Sequence, residues 1–199
     1  MSSPIVLFGD EHIVAQRTTL KTRQKTWSFV KHTGRSFEIS INGDGNPLFT
    51  VETKHWGKLR TLKDTTGTTI CTLNHSYLSS EDCWTVVRDN KTLLSVRYTW
   101  SPPGCSILFE GLSNGHAEPP QLKIHRTSKW LGSFSVQLDS GEEMAKSRCT
   151  NMSPSFTSML KVSPPTWEME IPENSDLVLA ALISVILSDL YSELHLLMI

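Results

Sequence analysis

Residues 175–199, SDLVLAALISVILSDLYSELHLLMI, decide between two folds. Ser175 or Asp176 can cap a helix, and the next eleven residues, Leu177 to Leu187, contain Ser184 as their only polar member. A helix that is apolar on every side is either buried inside a protein or inserted in a membrane. If the helix is buried, the rest of the chain has to form a structure that surrounds it.

The length of this helix would suit a bilayer, since roughly 23 residues span about 35 Å. Its second half, however, contains Asp189, Glu193 and His195. On membrane-insertion scales, placing one aspartate at the bilayer centre costs roughly 2.5 to 3.5 kcal/mol. We therefore predict a buried core helix, and a membrane anchor over residues 177–199 is the alternative. The side chains expected in the core are Leu177, Leu179, Leu182, Ile183 and Ile186.

Outside this segment, the chain repeats an apolar strand, a polar turn led by Asp or Asn, and a second strand. LKDTTGTTICTL, residues 62–73, is one example. Asp and Asn stabilise tight turns, and nearby glycines accept a positive φ. The five predicted turn centres are Asp44, Asp64, Asp89, Asn114 and Asp139. Five hairpins predict ten strands, and TWSFVKH at 26–32 and TWEMEI at 166–171 are candidates for two more.

Composition indicates one domain without a general affinity for polyanions. The chain has 199 residues, 38% of them apolar, and a net charge of −1. No secretory leader is recognisable, and the cysteines lack C-x-x-C spacing, so we expect free thiols in the cytoplasm. A zinc site at Cys71, His75 and Cys83 and a calcium site at NGDGN, residues 42–46, are weak alternatives. We predict neither a metal nor a cofactor.

The DGNPLF and LKDTTGTTI turns, the tryptophan strand CWTVV and the apolar C-terminal helix together resemble the LURP-one-related family. This family belongs to the Tubby C-terminal-like superfamily, as do the phospholipid scramblases. The resemblance implies a closed antiparallel β-barrel of about twelve strands around the C-terminal α-helix. It also implies one domain over residues 10–199, preceded by an extension at residues 1–9.

The sequence contains no recognised catalytic motif, so we expect a non-catalytic binding or scaffold module. The segment KHWGKLRTLK, at residues 54–63, contains several basic residues and no acidic residue. Since Tubby domains bind phosphoinositides, the resemblance implies anionic lipid head groups as a ligand of this segment. The candidate contacts are Lys54, Lys58, Arg60 and Lys63.

Strand alternation places Lys58, Arg60 and Leu62 on one face of this segment and Leu59 and Thr61 on the other, so Lys63 can fall outside the cluster. The same bases can also form an ordinary solvated face of a protein-interaction scaffold. Nucleic acid, with Trp27, Trp56 and Trp84 as stacking groups, is a less favoured partner. We expect a monomer, attached to a membrane surface at most peripherally.

Overall fold

The computed structural model describes residues 5–25, 36–41, 45–54, 59–76, 83–100, 103–109, 121–127, 132–151 and 165–196. These ranges contain twelve β-strands, a 3₁₀ turn at Asp10–His12 and the helix α1 at Leu177–Leu196. The strands are β1 Thr18–Gln24, β2 Phe37–Ile41, β3 Phe49–Lys54, β4 Leu59–Lys63, β5 Thr69–Ser76, β6 Cys83–Arg88, β7 Lys91–Trp100, β8 Pro103–Phe109, β9 Gln121–Arg126, β10 Ser133–Leu138, β11 Glu143–Cys149 and β12 Thr166–Ile171.

The strands follow one another around a closed antiparallel barrel, in which β1 pairs with both β2 and β12. Closure leaves no strand edge unpaired, which removes the usual site of edge-to-edge aggregation. Because every connection joins neighbouring strands, successive connections leave from alternate ends of the barrel. We call the end that holds the β2–β3, β4–β5, β6–β7, β8–β9 and β10–β11 connections the hairpin end. The predicted closed barrel around a C-terminal helix is confirmed.

Among the described residues, the predicted turn centres Asp64, Asp89 and Asp139 fall between paired strands of the hairpin end. In the turn between β4 and β5, the Asp64 carboxylate accepts hydrogen bonds from the backbone N–H groups of Thr66 and Thr68, both at 2.9 Å. Gly67 has a φ of 84°. Asp44 and Asn114 lie outside the described residues.

The two additional strands predicted from the sequence have different outcomes. TWEMEI coincides with β12. Residues 26–32 lie outside the described residues, and the first strand of the barrel is instead Thr18–Gln24. This strand reads TTLKTRQ, with a single strongly apolar residue, Leu20. Its weak hydrophobic pattern explains why alternation did not identify it.

The helix α1 fills the barrel, and every residue from 176 to 189 is buried. Those predicted for the core, Leu177, Leu179, Leu182, Ile183 and Ile186, are between 0% and 8% exposed. They pack against inward-facing side chains of the wall, among them Phe37, Phe109, Phe134 and Trp167. A membrane anchor would need these same helical side chains to face lipid. Within the described part of the chain, no helix combines the length and apolarity of a bilayer crossing.

Residues ahead of the predicted domain boundary at residue 10 also belong to the packed structure. Phe8 is 1% exposed and lies in the core. The Asp176 Oδ2 atom accepts hydrogen bonds from the backbone N–H groups of Leu7 and Phe8, at 2.8 and 3.0 Å. Its Oδ1 atom caps the helix by accepting from the N–H groups of Val178 and Leu179. One aspartate thus joins the start of α1 to the N-terminal segment.

Candidate functional site

The structure places Arg60, a predicted lipid contact, inside the barrel. Along β4, Arg60 and Leu62 are buried, whereas Leu59, Thr61 and Lys63 are partly exposed. The Arg60 side chain retains 5% of its accessible surface. The predicted sharing of a face by Arg60 and Leu62 therefore holds, but that face is the inner one. Arg60 is not available to a ligand on the outer wall, which corrects its assignment.

Arg60 pairs with Asp189 of α1. Both terminal guanidinium nitrogens donate to the carboxylate, Nη1 to Oδ2 and Nη2 to Oδ1, the latter at 2.9 Å. The Asp189 side chain is 3% exposed. Two parallel hydrogen bonds between a guanidinium and a carboxylate give this ion pair a defined orientation. The pair connects β4 to the last buried residue that the structure describes in α1.

Aromatic rings surround the guanidinium of Arg60. Its Cζ atom lies 4.7 Å from the centre of the Trp84 ring and 5.4 Å from that of Phe37. Trp84 in turn packs against the ring of His75, with 4.5 Å between ring centres. A flat cation stacks well on such faces, so the rings accommodate the Arg60 guanidinium inside the barrel. These contacts hold a neutralised ion pair in the core.

The other predicted contacts do not form one cluster. Lys54, the last residue of β3, is exposed. Lys63 donates to the Glu52 carboxylate at 2.7 Å. This hydrogen bond and the charge of Lys63 lower the pKa of Glu52, and the charges of Lys54 and Lys25 add to the effect. Lys58 lies outside the described residues. Among the described residues, Lys54 is thus the exposed member of the predicted set, and Lys25, which follows β1, is a further cation that acts on Glu52.

The two ends of the barrel differ in charge. We call the end opposite the hairpin end, where β1, β3, β5, β7, β9 and β11 finish, the basic end. On the outermost two residues of each strand and the described residues beside them, the surface cations of the basic end are Arg23, Lys25, Lys54, Arg126 and Arg148. The acids at this level are Glu38 and Glu168, and Glu168 lies opposite Arg148 in the β11–β12 pairing and forms an ion pair with it. The hairpin end has Arg17, Lys63, Arg88 and Lys91 against Asp10, Glu11, Asp64, Asp89, Asp139, Glu142, Glu143, Glu170 and Glu173.

A groove of about 610 Å³ crosses the outer wall over β1, β12, β11 and β10. It contains cations and acids side by side, and Arg148 pairs with Glu168 at 2.9 Å. Lys146 pairs with Glu143 at 2.9 Å. Because its charges are mixed and largely paired, the groove has no clear preference for an anion. The charge separation between the barrel ends is the stronger feature.

The described residues offer little reactive chemistry. Burial raises the pKa of the Cys71 and Cys105 thiols to about 12, so neither is a thiolate at neutral pH. No cluster of metal-ligating side chains occurs among the described residues. The side chain of Cys83, needed for the alternative zinc site, and residues 42–44 of the alternative calcium loop lie outside them.

Comparison with known proteins agrees with this architecture. The sequence model of the LURP-one-related family matches residues 18–189. The chain belongs to the LURP-one-related family. Its fold is similar to the X-ray structure of a protein from Arabidopsis thaliana, with a TM-score of 0.62 and 19% identity over 92% of this chain and 97% of that chain. At that identity, the similarity shows a common fold. No curated protein matches the sequence.

Proposed function

We propose that this LURP-one-related barrel is a non-catalytic binding module that attaches through its basic end to anionic phospholipid head groups. The observation that carries the proposal is the separation of charge along the barrel axis. A negatively charged membrane surface attracts the basic end and repels the acidic hairpin end, so the charges favour one orientation of the barrel.

Lys54 and Lys25 are the best-placed contacts among the described residues. Lys54 is exposed, and the Lys25 side chain is 46% exposed. Lys25 pairs with Glu38 at 2.8 Å, but an exposed ion pair contributes only about 0 to 1 kcal/mol and exchanges readily with another anion.

The expected affinity is modest and salt-dependent. Each basic residue near an anionic membrane contributes about 1 kcal/mol, and the attraction falls off within a Debye length of about 8 Å at physiological ionic strength. A handful of cations is therefore enough for reversible attachment without an inserted helix. The buried Arg60 takes no part in this attachment, since Asp189 already neutralises it.

The test is co-sedimentation with three kinds of vesicle: phosphatidylcholine alone, phosphatidylcholine with phosphatidylserine, and phosphatidylcholine with a phosphoinositide at matched surface charge. The test variant is Lys25→Glu/Lys54→Glu. The matched control, Lys91→Glu/Lys123→Glu, reverses two exposed charges near the hairpin end. Like Lys25, Lys123 is about half exposed and pairs with a carboxylate at 2.8 Å.

We expect binding to the anionic vesicles alone, weakened by salt and reduced about tenfold or more in the test variant, with little change in the control. Preference for the phosphoinositide at equal charge would indicate a specific head-group site, and equal binding to both anionic vesicles would indicate attraction to charge. Equal losses in the two variants, or no binding to either anionic vesicle, would refute the proposal. A protein-interaction scaffold would then be the better explanation.

A further inference from the structure

The surface of α1 is almost uniformly apolar, so apolar packing alone does not fix the position of the helix inside the barrel. From Leu177 to Leu187, Ser184 is the only polar residue, and all eleven residues are buried. A helix that is apolar on every side can rotate or slide and still bury the same kind of surface. Polar contacts between α1 and the wall are therefore the features that distinguish one position from another.

Three polar residues of α1 and its cap provide such contacts. Asp176 binds the N-terminal segment, as described above. Ser184 Oγ donates to the Ala181 carbonyl at 2.9 Å and lies 2.6 Å from Thr22 Oγ1 of β1, which is then the donor to Ser184. Asp189 receives both hydrogen bonds from Arg60 of β4. The contacts reach the N-terminal segment, β1 and β4, which are separate parts of the structure.

These contacts occur at different heights and in different directions around α1. At about 1.5 Å and about 100° per residue, Ser184 lies about 12 Å above Asp176, and Asp189 lies about 7.5 Å above Ser184 and is rotated by about 140° from it. A shift by one residue turns every helical side chain by about 100°. Asp189 would then face away from Arg60, and Ser184 away from Thr22, so no neighbouring position of the helix preserves either contact.

We propose that the Arg60–Asp189 pair, together with the Thr22–Ser184 hydrogen bond, is a register lock that fixes the depth and rotation of α1 in the barrel. Its role is to select one position and not chiefly to add stability. Burying two charges is costly, and well-packed apolar residues often replace a buried ion pair without loss of stability. Buried polar residues are known to select one register among similar apolar packings. The lock is independent of the proposed lipid attachment.

The test uses the double variant Arg60→Met/Asp189→Leu, which replaces both charges by apolar side chains. Two properties are measured: the thermal unfolding midpoint, and the number of sets of α1 resonances in a backbone NMR spectrum. We expect an unfolding midpoint equal to or above that of the wild type, with α1 resonances that double or broaden while those of the strands stay single. The control, Ile186→Val, lowers stability by trimming a buried side chain of the same helix and is expected to keep one sharp set.

A second variant, Thr22→Val/Ser184→Ala, removes the other contact with side chains of similar size. It is expected to fold and to show milder broadening confined to α1. A single sharp set of α1 resonances in both double variants would overturn the proposal. So would a marked fall in the unfolding midpoint of Arg60→Met/Asp189→Leu together with a single set in Thr22→Val/Ser184→Ala, because the pair would then act mainly as a source of stability.

Discussion

Removal of one partner of the buried pair has a larger predicted effect than replacement of both. In Asp189→Ala, the Arg60 guanidinium would keep its aromatic neighbours Trp84 and Phe37 but lose both hydrogen bonds to the carboxylate. The two rings already contact Arg60 in the wild type, so they do not offset the loss of the hydrogen bonds to Asp189 in the variant. Leaving a buried charge without its partner costs about 3 to 5 kcal/mol. For a domain of this size, that corresponds to a fall in Tm of about 6 to 20 °C.

Urea unfolding, followed by tryptophan fluorescence and by circular dichroism, measures this loss. The matched control is Glu38→Ala, which removes the acid of the exposed Lys25–Glu38 pair and should cost no more than about 1 kcal/mol. Coincident transitions by the two probes establish that the free energies can be compared. An Asp189→Ala variant within about 1 kcal/mol of the wild type would show that Arg60 finds water or another anion, and the reasoning from burial would be wrong.

Three further predictions concern the core, a turn and a surface carboxylate. Leu182→Asp should prevent folding, since Leu182 is 0% exposed and a buried carboxylate without a partner costs several kcal/mol; a cooperative melt of a soluble variant would contradict the central position of α1. Gly67→Val should lower the free energy of unfolding by about 1 to 2 kcal/mol, since a residue with a side chain is strained at a φ of 84°. Open space surrounds the added Cβ, so no steric clash with neighbouring residues adds to this cost. An unchanged Tm would refute the prediction. NMR titration should place the pKa of Glu52 below its ordinary 4.5, and Lys63→Ala should raise it. Since the folded pKa is lowered, this contribution to stability is present above the ordinary pKa and is lost as the pH falls through the folded value.

The sequence predicts the hairpins and the core helix because both depend on local or strongly periodic signals. A residue such as Asp64 specifies its turn through hydrogen bonds to backbone groups two and four residues away. The run from Leu177 to Leu187 has no polar face that could lie against solvent, so its burial follows from its composition. Alternation does not identify the strand β1 for the opposite reason: its inward positions include Thr22 and Gln24, which are polar yet 0% and 2% exposed.

The failure at Arg60 shows what alternation leaves undecided. Period-two alternation assigns residues to a common face but does not say which face is internal. The assignment of Arg60 to a lipid-binding surface rests on the family resemblance, which does not say which face is internal either. Leu62, on the same face as Arg60, and Asp189, in an apolar helix predicted to be buried, together pointed to the other answer. The carboxylate of Asp189 inside the barrel needs a buried cation as its partner. That partner is Arg60, which lies 129 residues away in sequence, so local sequence patterns do not identify the pair. It follows that mutating Arg60 together with surface lysines cannot test lipid binding, because loss of the fold would be mistaken for loss of the ligand; the vesicle experiment has to change Lys25 and Lys54 and leave the interior pair intact.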